Sequence, residues 1–87
     1  MPTVYILRCA DCSLYVGQTV DLDARLVKHN EGSASAYTAT RRPVRLVYSE
    51  SHVNTAKALE RERQIKRWTR VKKEALISND LALLKRL

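Results

Sequence analysis

Long apolar runs are missing from these 87 residues: none approaches the ~20 needed to cross a bilayer, and the first apolar segment, Val4 to Cys9, carries Arg8 and leads into a turn, not a cleavage site. These absences predict a soluble, cytoplasmic protein with no membrane partner. Cysteine is scarce as well. Cys9 and Cys12 alone cannot build a disulfide-dependent secreted scaffold. As a CxxC pair they lack two further zinc ligands at short paired spacing, because His29 and His52 fall elsewhere, and they bracket a turn where a redox motif would open a helix. Internal repeats and low-complexity tracts are absent, and the length suits one domain over residues 1–87 with a single modest core.

What the chain has in excess is positive charge. Sixteen Lys and Arg against nine Asp and Glu leave a net +7, and the resulting field on so small a surface attracts polyanions, so nucleic acid is the expected partner. Candidate phosphate contacts are Arg41 and Arg42 in a polar stretch from Ser33 to Pro43, read as a mobile basic loop, and Lys66, Arg67 and Arg70 further on.

Hydropathy patterning gives the elements. Thr3 to Leu7 and Leu14 to Gln18 are two short strands around a turn at Ala10–Ser13, a turn without the glycine that tight hairpins favour. Period 2 places Tyr5, Leu7 and Cys9 on one side of the first strand and Ser13, Tyr15 and Gly17 on one side of the second, so two phenols can share a face. Asp21 to Asn30 reads as a helix capped by Asp21 and ended at Gly32, with Leu22, Arg25, Leu26 and His29 along its inward stripe. Val44 to Ser49 alternates as a third strand with Val44, Leu46 and Tyr48 on one face. From Thr55 to Trp68 a second helix turns Ala58, Leu59 and Ile65 inward and carries Glu62 on that same stripe. A carboxylate there is costly unless a cation or hydrogen-bond donors meet it. Thr69 caps a helix through Ile77, and Asn79 or Asp80 a last one over Leu81 to Leu87.

Phenols, guanidinium, imidazole and carboxylate thus converge, and together they answer the needs of phosphodiester hydrolysis: an activated water, neutralised transition-state charge and help for the leaving oxygen. Glu62 can hold a divalent ion whose other positions go to water and phosphate, and Arg25 can grip the phosphate with a forked donor. Tyr5 or Tyr15 can take the proton from water if its pKa is lowered, and His29 can orient that phenol or carry the proton. Tyr5 is the favoured base, since the first strand should lie near the sheet centre and closer to Glu62.

The order of these residues resembles the GIY-YIG nuclease superfamily over nearly the whole chain. Thr3-Val4-Tyr5 is similar to the first signature triplet, with Thr3 in the glycine position, and Tyr15-Val16-Gly17 to the second. Arg25 with His29-Asn30 and Ala58-Leu59-x-x-Glu62 match the later motifs, while Cys12 stands in the hairpin where relatives carry glycine. Arg42 to Tyr48 and Gln64-Ile65-Lys66-x-Trp68 resemble a small stand-alone bacterial subfamily related to the catalytic domain of an excision-repair nuclease subunit. The resemblance implies a small α/β sandwich with a central three-stranded antiparallel sheet flanked by helices, and one magnesium or manganese ion held through Glu62. It also implies one-step endonucleolytic hydrolysis of DNA, single-stranded or structured, in a role such as DNA repair and without a small-molecule cofactor. A non-catalytic nucleic-acid-binding or protein-partner module on the same scaffold is the alternative.

Overall fold

In a computed structural model, which describes residues 1–86, three strands form one antiparallel sheet: β1 (Thr3–Arg8), β2 (Leu14–Thr19) and β3 (Arg45–Ser51), in the order β2-β1-β3. The tyrosine-bearing strands pair as the hairpin that the sequence predicts, with Tyr5 opposite Gly17 and Leu7 opposite Tyr15. Its turn is closed by a hydrogen bond from the Cys9 N–H to the Ser13 carbonyl at 2.9 Å, and Cys12 takes a left-handed backbone with φ 69°. That is the conformation glycine adopts without steric cost.

Five helices complete the described residues: α1 (Leu22–Glu31), α2 (Ala36–Ala39), α3 (Thr55–Lys66), α4 (Arg70–Ile77) and α5 (Leu81–Arg86). Their starts follow from local chemistry. The side chains of Asp21 and Thr69 accept from the N–H groups of Ala24 and Lys72, and Asp80 accepts from Leu83, each satisfying a donor that the first helical turn leaves free. Gly32 ends α1 in a left-handed conformation at φ 84°. Leu87, the expected end of the last helix, lies outside the described residues.

The alternation of β1 divides the interior in two. Val4 and Ile6 join Val16, Ala58, Ile65 and Leu76 in an apolar core beneath α3 and α4. Tyr5, Leu7 and Cys9 face the other way and pack with Val44, Tyr15 and the α1 residues Leu22 and Leu26.

Two expectations are corrected. Period 2 put Val44, Leu46 and Tyr48 on one face, but the β1–β3 ladder shifts register between Ile6 and Leu7, so Tyr48 pairs opposite Ile6 and Leu46 opposite Leu7. This irregularity sends Val44 to the α1 face, packs Tyr48 against the α3 core and leaves Leu46 at the surface. The stretch from Ser33 to Pro43 is not a free loop. It contains α2, buries Thr38 completely, and is tied at its neck by Asn30, whose side-chain oxygen accepts from the Val44 N–H at 2.9 Å and whose amide donates to the Val44 carbonyl at 3.2 Å.

Candidate active site

Tyr5 and His29 meet because one lies on the α1-facing side of β1 and the other on the last turn of the helix that covers it. Both are 1% exposed, and the phenol oxygen lies 2.9 Å from Nε2 of His29. Nδ1 of His29 lies 2.8 Å from the hydroxyl of Thr38, which in turn donates to the Ser35 carbonyl at 3.4 Å. That long contact is compatible with one of the two tautomers. In it the Thr38 proton goes to Ser35, the Thr38 oxygen accepts from Nδ1–H, and Nε2 is left to accept from the Tyr5 hydroxyl. The result is a buried relay running Tyr5 to His29 to Thr38.

Gly17 is required here for space. A Cβ at this position would fall 2.6 Å from the Tyr5 hydroxyl oxygen and 2.7 Å from the ring carbon bearing it, so any side chain would displace the phenol from its cross-strand partner. The second motif tyrosine, Tyr15, is half-buried, with its ring centroid 6.5 Å from that of Tyr5 and 5.1 Å from that of His29.

Electrostatics define the resting state of the relay. Burial pushes the Tyr5 phenol up to about 12; Tyr15 raises it further, Arg25 opposes, and Glu62 adds a smaller upward push. His29 is lowered from the usual 6.5, first by burial and then by the Arg25 charge. At neutral pH the pair is therefore a protonated phenol beside a neutral imidazole; both shifts oppose ionisation of the phenol, so the lowered phenol pKa expected for a base is not what the resting site shows. Arg25, half-buried on α1, has no salt-bridge partner among the described residues.

Glu62 reaches this group by a different route from the one its sequence stripe suggests. The core residues of α3, Ala58 and Ile65, pack on the sheet face opposite Tyr5, and the helix lies chiefly against β2, the edge strand, and β1. The carboxylate acts on the Tyr5 phenol electrostatically, from a helix whose core residues pack on the other layer. The Glu62 side chain is 13% exposed and pairs with the Lys66 ammonium at 2.8 Å, one turn on. The Lys66 ammonium already rests on this carboxylate, whose hard oxygens are the kind of donor a divalent ion takes. Among the described residues no three His, Cys, Asp or Glu side chains cluster, so such an ion would take one protein oxygen and fill its shell with water and substrate phosphate, as magnesium prefers.

The basic residues separate into different roles. Lys66 is held by Glu62, and Arg70 donates to the Cys12 carbonyl at 2.6 Å and pairs with Glu74 at 3.4 Å, joining α4 to the hairpin. Arg41 lies over the Tyr37 ring at 3.9 Å and pairs with Asp11 at 3.1 Å; Arg42 donates to the carbonyls of Ala39 and Asn30. Arg67, at the end of α3, is exposed. Sequence reasoning missed Thr38 and Tyr37. The available signal was Ser35, whose side chain caps α2 by accepting from the Thr38 N–H at 3.2 Å.

The fold is of the nuclease type, and the family model of the GIY-YIG catalytic domain matches residues 1–75. The chain belongs to the GIY-YIG family, whose members are generally endonucleases that use a divalent metal. Among its relatives are the UPF0213 proteins of Staphylococcus aureus strains Mu3 and N315, each 51% identical over 74 residues, a span covering 85% of this chain and 90% of the relative. The solution NMR structure of the UPF0213 protein from Bacillus halodurans is similar with a TM-score of 0.59 at 42% identity, covering 90% of this chain and 84% of that one.

Proposed function

We propose that this protein is a divalent-metal-dependent endonuclease that hydrolyses phosphodiester bonds in DNA. The observation that carries the reading is the Tyr5 phenol bonded to a buried, neutral His29, with Arg25 and Glu62 both acting on it electrostatically. The Tyr5 oxygen takes a proton from the attacking water as its own proton passes to Nε2 of His29, and Thr38 holds the imidazole in the accepting tautomer. The water oxygen bonds to phosphorus while the bond to the 3′ oxygen breaks. Arg25 grips the phosphate with its forked donors and offsets the charge that develops there. Glu62 would hold the ion, which supplies Lewis-acid neutralisation of phosphate and leaving group when bound.

A second assignment, favoured by the half-buried position of Tyr15, makes that phenol the base and leaves Tyr5 and His29 to position it.

Cleavage of single-stranded, duplex and branched DNA with magnesium, with manganese and with chelator tests the activity. Turnover should require metal, and Glu62→Gln should abolish it while DNA binding in chelator persists. Wild-type protein that binds but cuts none of these substrates would make the chain a binding module.

A further inference from the structure

A cleft of about 220 Å³ opens at the outer edge of β2, lined by Leu14, Tyr15, Val16, Tyr37, Lys66 and Lys73. It adjoins the candidate active site, since Tyr15 belongs to both and Lys66 is paired with Glu62. We propose that this cleft is a nucleobase subsite, in which an unpaired base of the DNA strand stacks on the Tyr15 and Tyr37 side chains while Lys66 and Lys73 meet its flanking phosphates. The proposal rests on the nuclease reading for the identity of the polyanion and deepens it by making single-stranded DNA the preferred substrate class.

Three observations support this occupant. The lining combines aromatic and aliphatic side chains with two cations, Lys73 and the Lys66 that pairs with Glu62, so it matches a flat apolar ring attached to an anionic backbone. Tyr37 is 38% exposed yet held in place: Arg41 covers one ring face at 3.9 Å, the Tyr15 ring lies 6.0 Å away at 29°, and Arg41 is itself fixed by Asp11 and by the Tyr37 carbonyl. With Arg41 over one face and the Tyr15 ring stacked against it, Tyr37 offers a base its remaining exposed part, held at low entropic cost. The cleft also wraps an edge strand, because Leu14 and Val16 belong to the α3 core and Tyr15 to the α1 face. A base inserted there must leave its own helical stack, which an unpaired nucleotide does at little cost and a duplex does not.

The test measures binding in chelator, so that it does not depend on cleavage. Fluorescence anisotropy would compare a short single-stranded oligonucleotide with a duplex of the same sequence, and a series with one abasic position moved along the single strand. Wild-type protein should prefer the single strand, and one abasic position should stand out. Tyr37→Ala should weaken single-strand binding about 5- to 150-fold with little change for duplex, Tyr37→Trp and Tyr37→Phe should retain it, and Lys73→Met should lower the salt slope by about 0.7. Equal losses on both DNAs, no loss in Tyr37→Ala, or a flat abasic series would overturn the subsite. If Tyr37→Ala fails to fold by circular dichroism, the abasic series alone decides. A parallel assay with metal separates the two readings: Tyr37-dependent binding without cleavage removes the nuclease and keeps the subsite, and cleavage without Tyr37 dependence does the reverse.

Discussion

The two faces of β1 do different work with the same degree of burial. Val4 and Ile6 point into a layer of aliphatic side chains, where stability comes from area removed from water. Tyr5, between them, points into a layer where His29 and Thr38 are equally hidden but hydrogen-bonded in series. Burial on the first face excludes water and nothing more. On the second it holds a phenol protonated and an imidazole neutral, within transfer distance of each other. One strand thus separates an aliphatic layer from one threaded by hydrogen bonds.

The comparison breaks if the layers cannot be disturbed independently. The largest effect is expected from Tyr5→Phe, which should lower single-turnover cleavage by about 10²- to 10⁴-fold. It should cost only about 1–3 kcal/mol of stability, the range for leaving the buried His29 acceptor unpaired. Tyr15→Phe should do less, and the reverse order, read from rates across pH, would exchange the roles of the two phenols. Ile65→Ala, on the other face, should cost about 2–5 kcal/mol in urea denaturation while the fraction still folded cleaves at its normal rate. A cleavage defect in that folded fraction would mean that the layers are coupled.

A smaller effect sharpens the distinction through pH. His29 is depressed below 6.5 in the folded protein, so the unfolded chain binds the extra proton first as pH falls, and stability declines from about 6.5 downward until the folded imidazole also titrates. Above 6.5 this contribution is fully present. Thermal unfolding of His29→Gln should lose that part of the slope, leaving the later decline of Glu50, held below the usual 4.5 despite its burial by bonds from Tyr48, Arg61 and His52. The smallest change lies outside both layers. Cys12→Gly relieves a left-handed backbone and should raise the stability measured by urea denaturation by up to about 1 kcal/mol, partly offset by the freedom glycine adds to the unfolded chain.

Much of this was legible because it is local. Asp21, Gly32, Thr69 and Asp80 mark helix ends through bonds made within a few residues, and the hairpin follows from two alternating runs around a turn. The meeting of Tyr5 with His29 was legible too, since period 2 on the strand and period 3.6 on the helix both aim inward. The irregularity opposite Ile6 and Leu7 was not, because shifting a ladder by one residue is decided by what packs on each face. Nor did the stripe on α3 show which face the helix covers: Ala58 and Ile65 demand an apolar surface, and both faces offer one. Thr38 and Tyr37 were hidden in a stretch of small polar residues that looks unstructured until Asn30 fastens its ends.

That fastening sets how this molecule can change over generations. Asn30 grips Val44 at both its N–H and its carbonyl, so residues 31–43 form a loop whose neck is anchored apart from its contents. The far part of the loop carries Thr38 into the relay and Tyr37 to the cleft. Lengthening such a loop by a few residues adds little closure entropy and leaves the sheet, α1 and the neck as they are. A lineage can therefore rewrite the Tyr37 wall of the cleft by insertion, deletion or exchange within thirteen positions, while Tyr5, Arg25 and Glu62 stay in place on elements that do not register the change.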